Sequence, residues 1–286
     1  MTMWRQTQFL ESQEDYDNAS LVLYGAPMDF TTSFRPGTRF GPQRMREVSN
    51  GLEDYSPLLD RMLSEVAFYD AGDVELPFGN VSLALEEIEG ATRSIVNDGK
   101  FPLLVGGEHL VSYPAIKVLA EKHPDLVVLH FDAHADLRDH YLGERNSHAT
   151  VIGQVVKLIG GKNVYQFGIR SGTREEFTFA RANTNFYPHA VLDPLVKVLP
   201  EIGNRPIYCT IDIDVMDPAY VPGTGTPEAG GITSREMLQV IYALKAKNMV
   251  ALDIVELSPV LDLSDVTSLL VAKLVRESIL AFGKDV

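Results

Sequence analysis

Short runs of apolar, often β-branched residues recur along the whole chain, and longer segments of helical period separate them. The runs of strand length are Leu21–Ala26, Val66–Ala71, Pro102–Gly106, Leu126–Asp132, Val164–Ile169, Pro206–Asp214 and Met249–Glu256. The helix-period segments are Pro42–Ser49, Val81–Asn97, Val111–Lys122, Thr150–Ile159, Arg174–Ala182, Ser234–Lys247 and Asp265–Ala281. Strands that are apolar on both faces belong in a mostly parallel sheet buried between helices. Local signals agree. Asn80 stands at an N-cap position, Thr233 and Glu236 have capping-box spacing ahead of a Lys-rich last turn, and Gly283 is placed to stop the final helix. A chain of 286 residues, 45% hydrophobic and 22% charged, can bury a substantial core. It holds no repeat, low-complexity tract or obvious linker. The expectation is an α/β fold formed as one domain over residues 1–286, with three α/β/α layers around a mostly parallel central sheet.

Three of these strands run into acids and imidazoles. Val127–Asp136 reads VVLHFDAHAD, and the two-residue spacing of Asp132, His134 and Asp136 puts all three on one side of an extended backbone. Like charges beside a buried strand repel and lose hydration, so solvent, Arg138 or a metal ion must compensate them. TIDID at Thr210–Asp214 repeats the pattern with Asp212 and Asp214, and GGEHL at Gly106–Leu110 delivers His109 after another apolar run. Ligand sites of open α/β sheets lie outside the carboxyl ends of the strands, where all three clusters fall. Two divalent cations would balance these four carboxylates beside two neutral imidazoles. His130 shares the parity of Asp132 and reads either as a support behind the cluster or as polar core packing. His123, His140 and His189 read as loop or surface residues.

Two long loops, Leu137–Asn146 and Val215–Ile232, follow the acid clusters, and loops of that length in a compact domain are usually functional or disordered. Gly223, Gly225, Gly230 and Gly231 let the second turn sharply or approach a ligand, but no Gly-Lys-Ser/Thr follows to make it a phosphate loop. The lone Cys209 excludes an internal disulfide framework and reads as a small buried hydrophobe. A formal net charge of −14 argues against nucleic acid and is compatible with a cationic substrate. Residues 1–16 lack the apolar core of a signal peptide, and no apolar run reaches the ~20 residues of a membrane span. A cytoplasmic protein with no membrane partner is expected.

Carboxylate-rich donor sets with one His per ion and no thiolate suit Mn²⁺ or a similar oxygen-preferring ion, not structural zinc. Two such ions about 3.5–4 Å apart can share a water and bring its pKa towards neutrality. The reaction class is then hydrolysis of a carbon or phosphorus electrophile, and the residues alone go no further.

GGEHL, DAHAD, SHAT (Ser147 to Thr150), DIDVMDPAYVPGTGTPEAGG and VELSP (Val255 to Pro259) together resemble the ureohydrolase family, which includes arginase and agmatinase. The motifs run in order from about Gly25 to the C-terminus. GAPMDFTTSFRPGTRFGP, Asp136-Leu137-Arg138 and Gly143-Glu144 resemble its bacterial agmatinase branch. The resemblance implies an arginase/deacetylase-like α/β/α fold, two Mn²⁺ per chain, and hydrolysis of a guanidino group to urea and an amine. It implies one ion on His109, Asp132, Asp136 and Asp212, another on Asp132, His134, Asp212 and Asp214, and a bridging hydroxide as nucleophile. Asp136 would also orient that hydroxide. Glu256 would grip the guanidinium with help from Thr226, and His148 would hand a proton to the leaving amine. A homo-oligomer, trimer or hexamer, is usual in the family.

The loop LRDHYLGERNS resembles the agmatinase pattern and lacks the arginase one, so the implied reaction turns agmatine into putrescine and urea. Agmatine ends in a lone ammonium, which a basic Arg145 near the pocket would oppose unless paired or turned away. Aminopropyl-agmatine, guanidinobutyrate and arginine are the alternative guanidino substrates. A deacetylase-like hydrolase or a non-catalytic metal-binding module are alternatives of another class, the latter opposed by the intact ligand positions.

Overall fold

The apolar runs become strands because each can bury both faces at once. The computed structural model describes residues 7–13 and 15–286, so residues 1–6 and 14 of the N-terminal stretch lie outside the described residues. In chain order come β1 (Leu21–Ala26), α1 (Gly41–Ser49), β2 (Tyr55–Ser56), β3 (Arg61–Met62), β4 (Phe68–Asp73), α2 (Val81–Asn97), β5 (Phe101–Gly106), α3 (Ser112–Lys122) and β6 (Val127–Phe131). Then follow α4 (Val151–Ile159), β7 (Val164–Phe167), α5 (Arg174–Asn183), β8 (Asn185–Tyr187), α6 (Leu192–Ile202), β9 (Ile207–Asp212), α7 (Ser234–Leu244), β10 (Met249–Val255) and α8 (Val266–Phe282).

The main sheet has eight strands in the order β4-β1-β5-β10-β9-β6-β7-β8, and every pairing in it is parallel. Alternate residues point to opposite layers. Leu103 and Val105 of β5 and Cys209 and Ile211 of β9 pack with Met45 of α1, Leu195 of α6, Val240 of α7 and Val275 of α8. Val22 and Tyr24 of β1, Val128 of β6 and Tyr208 of β9 pack with Ile88 of α2, Ile116 of α3 and Ile152 of α4. The result is a three-layer α/β/α fold. Its helices form as their sequences direct: α2 buries Ala84, Leu85, Ile88, Thr92, Ile95 and Val96 along one stripe, and Asn80 accepts a hydrogen bond from the Leu83 amide as its N-cap.

The topology places the site. β9 and β10, late in the chain, enter between β5 and β6. The carboxyl ends of β5, β10, β9 and β6 therefore lie side by side, at a switch in strand order of the kind where open sheets bind ligands.

Several elements differ from the sequence expectation. The strand expected over Pro206–Asp214 ends at Asp212, and Ile213–Val215 form a 3₁₀ turn. Likewise β6 stops at Phe131, one residue before its first acid, because the acids need loop geometry to converge. The segment Val66–Ala71 is shifted to Phe68–Asp73. α7 ends at Leu244, so Lys245 and Lys247 lie beyond its last turn; Thr233 caps it, but Glu236 reaches the Leu192 amide instead of closing the box. α6 has no counterpart among the expected helices, and its Pro194 and Pro200 are residues that usually break a helix. Pro194 sits in the first turn, where an amide has no helical partner to lose, and Leu195, Val198, Leu199 and Ile202 bury a helical stripe. β8 and the β2–β3 hairpin are two or three residues per strand, too short to show a period.

Candidate metal centre

Each of the four neighbouring strand ends contributes. After β5 the chain passes through Gly107, where a Cβ would stand 1.8 Å from the Met28 carbonyl oxygen, so only glycine fits. The 3₁₀ turn His109–Val111 follows and buries His109. After β6 come Asp132, His134 and Asp136. Asp212 ends β9, and its Oδ1 accepts the Asp214 amide at 2.9 Å, which folds Asp214 back to the same side. Glu256 follows β10. Asp136 and Glu256 both adopt left-handed backbone, at φ 52° and 69°, a strained choice for non-glycine residues that surrounding structure must enforce.

The side chains converge as the strand ends direct. His109 Nδ1 lies 3.1 Å from Asp132 Oδ2, 3.2 Å from Asp136 Oδ2 and 3.5 Å from Asp212 Oδ2. His134 Nδ1 lies 2.9 Å from Asp214 Oδ2 and 3.5 Å from Asp132 Oδ1. Asp132 thus faces both imidazoles. The Ala133 amide donates to Asp214 Oδ1 at 3.0 Å.

The electrostatics are those of acids and imidazoles forced into one buried volume. Burial alone would raise Asp132, but His130, His109 and His134 outweigh it and hold the carboxyl well below its ordinary range. Burial, then Asp214 and Asp132, push Asp212 well above that range, and burial raises Asp214 although His134 opposes it. Burial depresses His109 and His134, yet the facing carboxylates hold both above the ordinary imidazole value. Such a cluster competes with itself for protons, and cations relieve it.

The donor set fits metal. His109 Nδ1 is buried with no hydrogen-bond partner, and it faces three carboxylates. Ligand atoms of His109, His130, Asp132 and Asp136 lie within 4.8 Å of one another, as do those of Asp132, His134 and Asp214. His130 has other employment: Nε2 is 2.8 Å from Asp132 Oδ2 and Nδ1 is 3.2 Å from Gln166 Nε2, so it supports Asp132 from behind. Asp212 belongs to neither tight group and approaches through His109 alone.

A cavity of about 290 Å³ opens over the cluster and is lined by Thr226, His148 and Glu256 together with His109, His134, Asp136 and Asp212. Glu256 Oε1 accepts the His109 amide at 2.8 Å, and burial raises the carboxyl to about 8. Thr226 Oγ1 donates to Asp214 Oδ2 at 3.4 Å. His148 opens the 3₁₀ turn His148–Thr150 capped by Ser147, and burial holds its imidazole below the ordinary value.

Sequence reasoning missed what holds His148. Its amide donates to Thr31 Oγ1 at 3.1 Å, and Thr31 in turn donates to the buried Glu108 through its hydroxyl (2.8 Å) and its amide (2.7 Å). Ser33 Oγ lies 3.5 Å from His148 Nε2, and the Tyr141 ring meets the imidazole edge-on at 5.5 Å. The only sequence signal was a charged Glu108 beside His109. Arg145 is exposed and lines a different cavity with Tyr113 and Asn146. Arg138 does line the site, with Nε 3.3 Å from Glu176 and its guanidinium 4.6 Å over the Tyr141 ring.

Residues 19–281 match the arginase family. The chain belongs to the arginase family. It is a ureohydrolase, a hydrolase that acts on C–N bonds. This arginase-family chain is 54% identical over 279 residues to an agmatinase of Bacillus anthracis, with 96% of each covered. It is 36% identical to the human mitochondrial guanidino acid hydrolase, covering 96% of this chain and 82% of that one. A crystal structure from Clostridium difficile superimposes with a TM-score of 0.92 at 43% identity, covering 94% of this chain and 99% of the other. Among the described residues, no helix is long and apolar enough to cross a membrane.

Proposed function

We propose that this arginase-family chain hydrolyses agmatine to putrescine and urea at a pair of Mn²⁺ sites. His109, Asp132, Asp136 and Asp212 would hold one ion, and Asp132, His134, Asp212 and Asp214 the other. The observation that carries the substrate is the 54% identity to an agmatinase across 96% of both chains, against 36% to a guanidino acid hydrolase. When bound, the ions supply compensation for the carboxylates and lower the pKa of water at the site.

The chain's own groups do the rest. Glu256, anchored through Oε1 by the His109 amide, accepts N–H donors of the planar guanidinium, a geometry suited to a carboxylate. Thr226, on the glycine-rich loop, adds a hydroxyl beside it. Asp136 lines the cavity and orients the attacking water. His148 is held below its ordinary pKa by burial, so it is neutral at pH 7, where it can take a proton and give it to the departing amine. Water's oxygen leaves in urea, and the proton leaves on putrescine.

Three features of the cavity wall are compatible with a cationic tail. Arg145 faces elsewhere, and Glu176 pairs with Arg138, while Ser33, Tyr141 and Thr173 present hydroxyl and aromatic groups. Urea release from agmatine, guanidinobutyrate, arginine and aminopropyl-agmatine by Mn²⁺-loaded protein tests the reading. Agmatine should lead in kcat/KM; a lead by guanidinobutyrate would overturn the substrate and leave the metal chemistry standing.

A further inference from the structure

Asp253 sits in the middle of β10, completely buried, directly opposite Thr210 of β9 in the parallel register. A carboxylate in the centre of an apolar sheet is expensive and survives only where its lone pairs are fully used. Two hydroxyls use them: Tyr208 OH donates to Oδ2 at 2.5 Å and Thr210 Oγ1 donates to Oδ1 at 2.6 Å. In both contacts the hydroxyl donates and a carboxylate oxygen accepts; burial raises this carboxyl, and His109 and the two hydroxyls oppose it. Thr210 has one hydroxyl proton, and Asp253 takes it. His109 Nε2 stands 2.9 Å from the same Thr210 oxygen, so the imidazole must be the donor in that contact. Ser112 Oγ, 3.4 Å away, occupies the remaining side of the hydroxyl. In the neutral imidazole that would bind a cation, a proton on Nε2 leaves the lone pair on Nδ1, the atom buried and unpartnered before the carboxylates.

We infer that Asp253, through Thr210, fixes the ring tautomer of His109 so that the bare nitrogen faces the metal cluster. Asp253 is a positioning residue: it touches neither substrate nor cluster, and it acts by committing the hydroxyl proton of Thr210. The inference rests on the reading that the cluster binds divalent cations. The reach from β10 through β9 to the turn after β5 explains why the acid lies inside the sheet.

The test is Mn²⁺ affinity, measured by calorimetry on protein stripped of metal. Asp253→Leu keeps much of the volume and removes both acceptors, so the Thr210 hydroxyl turns to His109 Nε2 and leaves the proton on Nδ1. Affinity should fall ten- to a hundredfold, the usual effect of losing a partner behind a metal-bound His. Thr210→Val should lose a similar factor, and Thr210→Ser should restore wild-type affinity. Tyr208→Phe removes the other hydroxyl from the same carboxylate; it should lower thermal stability and leave affinity within about threefold, a split that mere packing damage would not produce. Should Asp253→Leu not fold, the Thr210 pair decides alone. Wild-type affinity in Thr210→Val overturns the inference and spares the proposed function. No Mn²⁺ uptake by folded wild-type protein overturns both.

Discussion

His109 and Glu256, 147 residues apart, are joined by a buried 2.8 Å hydrogen bond from the His109 amide to Glu256 Oε1. The proposed metal ligand and the proposed guanidinium grip therefore move as one unit. Glu256 cannot reorient without releasing the turn that aims His109. Glu256→Gln keeps an acceptor for that amide and removes the charge that the carboxyl would carry once cations and a guanidinium offset its burial. The expected outcome is a folded protein with unchanged metal content and a kcat/KM for agmatine lowered by about 10- to 150-fold, the value of one charge-assisted hydrogen bond of roughly 1.5–3 kcal/mol. Steady-state urea release beside metal analysis checks it, and full activity would remove Glu256 from the reaction.

The same crowding of acids makes the metal-free protein sensitive to alkali. Burial raises Glu256 to about 8 and Glu108 to about 7, both above their ordinary 4.5. The folded chain then holds protons that the unfolded chain has released, so this contribution to stability is lost as pH rises from about 4.5 to about 8. His109 and His134, raised above 6.5 by their carboxylates, act in the same direction from that pH upwards. Asp132, held well below its ordinary value, costs stability only in strong acid. Chelator-treated protein should melt at lower temperature at pH 8 than at pH 5, and Mn²⁺ should flatten the trend. A melting temperature that climbs over this range without metal would contradict the assignment.

The layers and the cluster were legible because both depend on short-range pattern. An apolar strand that ends in alternating acids announces a buried site, and the runs before His109, Asp132 and Asp212 did so separately. What joins them was not legible. That β9 and β10 slot between β5 and β6 is a long-range choice with no local mark. Alternation in an extended chain pointed to Asp132, His134 and Asp136, and the structure brings them together by another route, since the strand stops at Phe131 and Asp136 reaches the cluster through a left-handed turn. α6 was hidden by two prolines that its first and last turns tolerate. The supports of the site, Thr31, Glu108, Thr210 and Asp253, are ordinary residues whose meaning lies in their partners.

Thr31 is the clearest of these supports. One hydroxyl donates to Glu108 and accepts the His148 amide, so it fixes the turn that carries the proposed proton shuttle. Thr31→Val removes both bonds at nearly constant volume, and Thr31→Ser keeps them. The valine variant should lose kcat by about tenfold with little change in KM for agmatine, and the serine variant should stay near wild type. His148→Asn sets the floor, about 10²-fold below wild type for a lost general acid–base group. If Thr31→Val raised KM alone, the hydroxyl would be serving the substrate and not His148.

Arg35 ties the two halves of the cavity mouth together. Its Nε donates to the Gly225 carbonyl at 3.0 Å and its Nη2 to the Thr224 carbonyl at 2.9 Å, so the loop bearing Thr31 and Ser33 is strapped to the loop bearing Thr226. Gly225 permits the approach, since a Cβ there would stand 3.0 Å from the Arg35 carbonyl oxygen. Arg35→Ala deletes the strap and leaves every proposed ligand in place. The expected result is a KM for agmatine raised several-fold, Mn²⁺ affinity close to wild type, and a loss of stability of about 1–3 kcal/mol for two partly buried charge-assisted bonds. Arg35→Lys should recover little, because an ammonium cannot bridge two carbonyls with the fixed fork of a guanidinium. An alanine variant with unchanged KM and stability would mean that the two loops hold their positions independently, and that Thr226 needs nothing from the opposite side of the mouth.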